Sequence, residues 1–166
     1  LERRIQQCKR GKRMVNNPAR VVIENLGSTV NTKYPEYSPL ISADGSKMIF
    51  TSRRPATTGG EVDPYDLKPY EDVYQTEKKD GEWTAPENMG EPINTDEHDA
   101  TVGISYDGQH LFVFKDKRNG DIYESVLQGD EWTKPRRLPR NINSSYHESS
   151  GCYSFDGKSF YFVSNN

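Results

Sequence analysis

The sequence predicts an all-β fold, a partial β-propeller of four-stranded antiparallel blades, about two and a half of them, preceded by a short N-terminal α-helix. Three observations predict it. Several markers recur at one spacing, Asp-Gly turn signals stand between apolar runs, and some of those runs are apolar on successive positions. The markers are Asn-Thr/Ser (Asn31-Thr32, Asn94-Thr95, Asn143-Ser144), Ser-x-Asp-Gly (Ser42 to Gly45, Ser105 to Gly108, Ser154 to Gly157), Asp-apolar-Tyr (Asp72 to Tyr74, Asp121 to Tyr123) and Glu-Trp-Thr-x-Pro (Glu82 to Pro86, Glu131 to Pro135). Trp83 and Trp132, Asp107 and Asp156, and Asp72 and Asp121 are each 49 residues apart. One shared period of this length, with several short strands per unit, marks a propeller blade.

The elements follow in order. Residues 1–17 read as the end of a helical region. Leu1, Ile5, Cys8 and Val15 fall on roughly one face and Arg3, Arg4, Lys9, Arg10 and Arg13 elsewhere, and Asn16-Asn17-Pro18 breaks the helix. Residues 18–166 hold the blades. Arg20–Leu26 aligns with Trp83–Met89 and Trp132–Leu138, so 20–26 is expected to be an outer strand completing the last blade. Blade 1 spans 27–87, blade 2 spans 88–137, and 138–166 is an incomplete third blade. Blade 1 is longer by the insertion 55–71, whose Gly59-Gly60 and three prolines predict a surface loop.

Within a blade, strands are expected at Ala100–Ser105, Gln109–Phe114 and Asp121–Val126. Each Asp-Gly of the Ser-x-Asp-Gly marker is expected to sit in a two-residue hairpin turn with positive φ at both positions. Met48 to Phe50, Leu111 to Phe114 and Phe160 to Val163 suit a middle strand covered on both faces. Gly103, Ser105, Gly151 and Ser154 are small enough for an innermost strand near the axis. Trp83 and Trp132 are expected between neighbouring blades. Cys152, aligned with Gly103, and Cys8 on the helix are expected to be small buried fillers.

Composition narrows the function. The net charge of -3 and the lack of any basic block in the repeats argue against nucleic acid. No run of 18 apolar residues marks a transmembrane helix, and no apolar stretch follows the start as in a signal peptide. Nucleophile-elbow, zinc-protease and phosphate-loop motifs are absent, so no enzyme activity and no cofactor are expected. Asp63, Asp66, Glu71 and Asp72 have the oxygen chemistry of a hard-cation site, but their spacing fits no EF-hand loop, and a solvated loop is the favoured reading. One polar position repeats in register: Glu36, Asp99 and Glu148 each precede an inner strand, with His98 and His147 beside two of them. Either they form a ligand-binding rim at one mouth of a central channel, or each carboxylate accepts backbone N–H groups where its strand begins; the second reading is favoured. Zinc is disfavoured because the two histidines lie in different blades.

Ser38-Pro39-x-Ile41-Ser42-x-Asp44-Gly45, Ile49-Phe50-x-Ser52-Arg53-Arg54 and Asp72-Val73-Tyr74 resemble the TolB-like, WD-repeat-like β-propeller family over residues 27–166. More narrowly, Ile23-Glu24-Asn25-Leu26-Gly27, Gly81-Glu82-Trp83 through Ile93-Asn94-Thr95, and His147-Glu148-Ser149-Ser150 resemble envelope proteins of Bacteroidetes. Those proteins join tetratricopeptide repeats, a propeller and an OmpA-like domain, and one belongs to the type IX secretion system. The resemblance implies a periplasmic lipoprotein associated with the outer membrane. Its propeller would contact other envelope or secretion-system proteins, peptidoglycan being bound only through a domain absent from this sequence. A propeller accessory to a peptidase and a carbohydrate-binding propeller are the alternatives.

Overall fold

The computed structural model describes residues 2–166. The share of the helical face assigned to Leu1 lies outside the described residues. Helix α1 (Glu2–Asn16) has no buried residue. Cys8 is therefore exposed, not a buried filler, because nothing packs on the face that carries it. Cys152 is exposed as well. Its strand pairs with Phe160–Ser164, and no further blade covers its outward face among the described residues. Arg20–Leu26, expected as an outer strand, runs as irregular chain with Val21, Val22 and Ile23 exposed. A strand needs a ladder partner, and this segment has none among the described residues.

Blade 1 comprises β1 (Glu36–Ile41), β2 (Lys47–Ser52) and β3 (Asp72–Lys79), each antiparallel to the next. Its outer strand is split. β4 (Glu82–Trp83) pairs with the far end of β3, and β5 (Glu87–Asn88) pairs with its beginning. Thr84 bridges the gap, its N–H donating to Glu77 O and its carbonyl accepting from Thr76 Oγ1. Blade 2 repeats the plan with β6 (Asp99–Ile104), β7 (His110–Lys115), β8 (Asp121–Gln128), β9 (Glu131–Trp132) and β10 (Arg136–Arg137). Blade 3 contains β11 (Glu148–Tyr153) and β12 (Phe160–Ser164). β6 lies between β1 and β11, so the inner strands sit side by side. A Cβ on Gly103 would come 2.8 Å from Gly151 O. That crowding explains why position 103 carries no side chain.

The core confirms the stacking. Ile93, Leu111, Val113, Tyr123 and Trp132 form the front face of blade 2 and pack on Ile49, Val73 and Leu40 at the back of blade 1. The same five positions of blade 1, Val30, Met48, Phe50, Tyr74 and Trp83, form a second cluster. The Arg54 guanidinium lies over the Phe50 and Tyr74 rings. β2 and β7 are buried along most of their length, as continuous apolar runs demand. β12 has the same kind of sequence but is largely exposed, because no further blade covers it among the described residues. Near the axis, Thr51 and Thr101 join the blades: Thr101 N donates to Thr51 Oγ1 at 2.8 Å and Thr101 Oγ1 to Ser38 O at 2.7 Å.

The turns correct one expectation. Gly45, Gly108 and Gly157 have positive φ, but the aspartates before them do not. Gly108 N donates to Ser105 O, Ser105 Oγ donates to Asp107 Oδ1, and Asp107 Oδ1 also accepts from Gln109 N. Serine and aspartate side chains thus take over backbone donors and lengthen the turn beyond two residues. The two-residue turn with positive φ at both positions occurs instead at Asp80-Gly81, between β3 and β4.

These turns set an acid limit on stability. The Ser42 hydroxyl, then the Ser46 N–H and hydroxyl, hold Asp44 down at about 2. Hydrogen bonds led by Ser105 and Ser154 hold Asp107 and Asp156 below the ordinary carboxylate range. The unfolded chain returns them to about 3.9. Their stabilisation is therefore present above that value and lost as pH falls through the lower folded values. The thermal midpoint is expected to drop as pH is lowered from about 4 towards 2. An Asp107→Asn/Asp156→Asn variant should start lower and drop less; parallel curves would remove this account.

Candidate functional site

The repeated Asn-Thr/Ser marker stands at the junction between blades. Asn94 is fully buried. Its Oδ1 accepts from Val73 N at 2.8 Å, and its Nδ2 donates to Val73 O at 2.9 Å and to Asn88 Oδ1 at 2.7 Å. Asn143 repeats this on Ile122, at 2.9 Å and 2.7 Å. Each asparagine amide therefore acts as a peptide group that pairs with the third strand of the preceding blade. Beside it, Thr95 N and Oγ1 donate to Asp99 Oδ2, as Ser144 N and Oγ donate to Glu148. Thr32 N and Oγ1 do the same to Glu36. The strand-start N–H of Asp99 donates to Glu71 O, and that of Glu148 to Gly120 O.

The three carboxylates thus take part in architecture within their own units. Asp99 is buried against the Lys115 ammonium, which also donates to Ile93 O at 2.6 Å. Glu36 meets Arg54 at 3.4 Å, and Arg54 Nη2 donates to Val30 O, the counterpart of Ile93 O. Glu148 accepts from Ser164 Oγ at 2.7 Å. Burial pushes Asp99 up against the pull of Lys115 and Thr95. Burial also pushes Glu148 up, but hydrogen bonds from Ser164 and Ser144 outweigh it and hold the group below its ordinary range.

His98 and His147 dock on the blade before them. His98 lies between Asp63 (Nε2 to Oδ2, 3.2 Å) and Glu71 (Nδ1 to Oε2, 3.2 Å), both contributed by the insertion. Tyr37 OH donates to Glu71, and burial followed by this bond raises the phenol. His147 Nδ1 meets Asn119 O at 2.9 Å and packs on Phe114. A Cβ on Gly120 would strike its ring. Position 120 therefore excludes a side chain so that the ring can seat.

The insertion is more than a solvated loop. Arg53 grips it through Asp66 (2.7 and 2.9 Å) and Pro69 O (2.7 Å). Val62 and Pro69 form a small bridge within it. The four acids considered for a cation are each taken by protein partners: Asp66 and Asp63 by Arg53, Asp63 and Glu71 by His98, and Asp72 by Thr58 N and Asn88 Nδ2. No group of three or more metal-ligating side chains converges among the described residues. Burial raises Asp72, the opposite sense to the turn acids. Its share of stability is present below the ordinary value and lost as pH rises through the folded one. Sequence reasoning found the asparagines only as markers. It missed Lys115, Arg137 and the open notch beside Arg118, since none of these repeats from unit to unit.

The stacked, repeated four-stranded sheets make this chain part of a β-propeller. The structure is similar to TolB from Acinetobacter baumannii, with a TM-score of 0.51 and 19% sequence identity, over 75% of this chain and 25% of that chain. The fold is TolB-like, and the chain spans about a quarter of that protein's length. No family model and no curated protein matches the chain. No helix among the described residues is long and apolar enough to cross a membrane, which leaves strand-built membrane proteins unaddressed.

Proposed function

We propose that the chain is a non-enzymatic protein-interaction scaffold of the bacterial cell envelope. In this reading it is periplasmic, associated with the outer membrane and with a secretion or gliding machine of the type IX kind, and its partners are other envelope or secretion-system proteins. What carries the reading is that the repeated polar residues are used structurally: the asparagines and histidines lock blade to blade, and the acids are tied down within their own units. A rigid stack of this kind presents loops and inter-blade notches to partners. The TolB-like fold and the motif resemblance to envelope propellers support it.

The test is affinity capture from envelope extract after crosslinking, with the tagged chain as bait. Enrichment of outer-membrane or secretion components over a bait of unrelated fold is the expected result. Capture of cytosolic proteins alone, or turnover of peptide or glycan substrates by the purified chain, would overturn it.

A further inference from the structure

We propose that the notch between blades 2 and 3 binds an extended, acidic peptide segment of a partner protein. The proposal rests on the scaffold reading and narrows it to one site. The notch has a volume of about 570 Å³ and is lined by Arg118, Arg137, Arg140, Asn143, Ser144 and Ser145. That is ample for a short stretch of chain.

The same place one junction earlier is already filled by main chain. Asn88 and Asp96 are the counterparts there of Arg137 and Ser145, at the shared offset of 49. Residues 56–59 of the insertion lie against them. Asn88 Nδ2 donates to Ala56 O at 2.9 Å, Thr58 N donates to Asp72 Oδ2 at 2.6 Å, and Thr58 Oγ1 reaches Asn88 Oδ1 at 3.4 Å. Gly59 sits so close that a Cβ on it would come 3.0 Å from Asp96 Cβ. A notch of this shape thus accepts a polypeptide. In blade 2 the equivalent connection is a short turn ending at Gly120; it meets blade 3 at His147 and Glu148 but has no counterpart of residues 56–59.

The second notch has the opposite polarity. Asp121, the counterpart of Asp72, is held by Arg137 through both oxygens, at 2.6 and 2.8 Å. It is therefore spoken for and does not offer itself to an incoming N–H. Glu91 and Asp96 of the first junction give way to Arg140 and Ser145, and Arg118 joins them from the β7–β8 turn. Arg118 and Arg140 are exposed and make no ion pair among the described residues. Guanidinium forks pair best with carboxylates, so the occupant carries Asp or Glu. The other basic cluster of the chain, on helix α1, shares no residue with this notch and is left intact in the variants used below, so loss of binding in them reports on the notch.

The experiment titrates fluorescein-labelled hexaglutamate into the purified chain and follows anisotropy. Saturable binding is expected, with none for hexaglutamine and at least about tenfold weaker binding to an Arg118→Gln/Arg140→Gln variant. An unchanged thermal midpoint will establish that the variant is folded. Ser145→Trp, which keeps both arginines and fills the notch, should weaken binding as well. Equal affinity in all three proteins would overturn the proposal. So would displacement of the peptide by an equal concentration of inorganic sulfate, the mark of a small-anion site. Because only purified components are used, failure here leaves the envelope capture to be judged separately.

Discussion

Replacing Asn94 with alanine is expected to lower the unfolding free energy by about 2–4 kcal/mol. The side chain is fully buried and holds the N–H and C=O of Val73 from the neighbouring blade. Alanine leaves the Val73 N–H without a partner in a buried junction, and its C=O keeps only Met89 N. Each buried group left unmet costs about 1–3 kcal/mol. Asn143→Ala should behave alike, since Ile122 is held in the same way. Asn31 is the control. It occupies the same place in the repeat but, among the described residues, makes no side-chain hydrogen bond and faces no third strand, so Asn31→Ala should stay within about 0.5 kcal/mol. Urea unfolding of the three variants decides the matter. A cost below about 1 kcal/mol for Asn94→Ala, or an equal cost for Asn31→Ala, would show that the amide does not bind the blades together.

Asn25 extends the same comparison to the segment that did not form its expected strand. Gly27 N donates to Asn25 Oδ1 at 2.8 Å, as Gly90 N donates to Asn88 Oδ1 at 2.7 Å. The local turn is thus set as in a true outer strand, while the ladder is missing. We propose that Arg20–Leu26 acts as an outer strand when a third strand of the Asp72–Lys79 kind lies beside it.

What could be read from sequence was whatever repeats. The period located the strands and the blade order, because stacking imposes a similar strand plan on every unit. Contacts made by side chains that differ from unit to unit were hidden, because the same place in the blade is served by different residues. Asn88 holds Asp72 in blade 1, and Arg137 holds Asp121 in blade 2. The Asp-Gly turns were misread for a related reason. The dipeptide rule weighs only the backbone of the two central residues, whereas the Ser105 and Asp107 side chains accept the N–H groups of His110 and Gln109 beyond them. Exposure of Cys152 was not legible either, since it depends on what covers β11.

Lys115→Met is expected to cost about 3–5 kcal/mol at neutral pH, because it strands a buried carboxylate. Asp99 and Lys115 are both buried and in direct contact. After the substitution only the Thr95 N–H and hydroxyl face the Asp99 charge. Adding Asp99→Asn removes the charge while Thr95 keeps an acceptor, so the double variant should recover at least about half of the loss. The pH dependence separates charge from packing. Burial already raises Asp99, and loss of the ammonium raises it further. As pH falls the carboxyl protonates in the folded state, and the cost of Lys115→Met should shrink. A loss of packing alone would not change with pH. Denaturant unfolding of the wild type, both single variants and the double variant, near pH 7 and again near pH 4.5, gives the coupling directly. A coupling below about 1 kcal/mol, or a Lys115→Met cost that grows in acid, would mean that the pair does not hold blade 2 to its own entry loop.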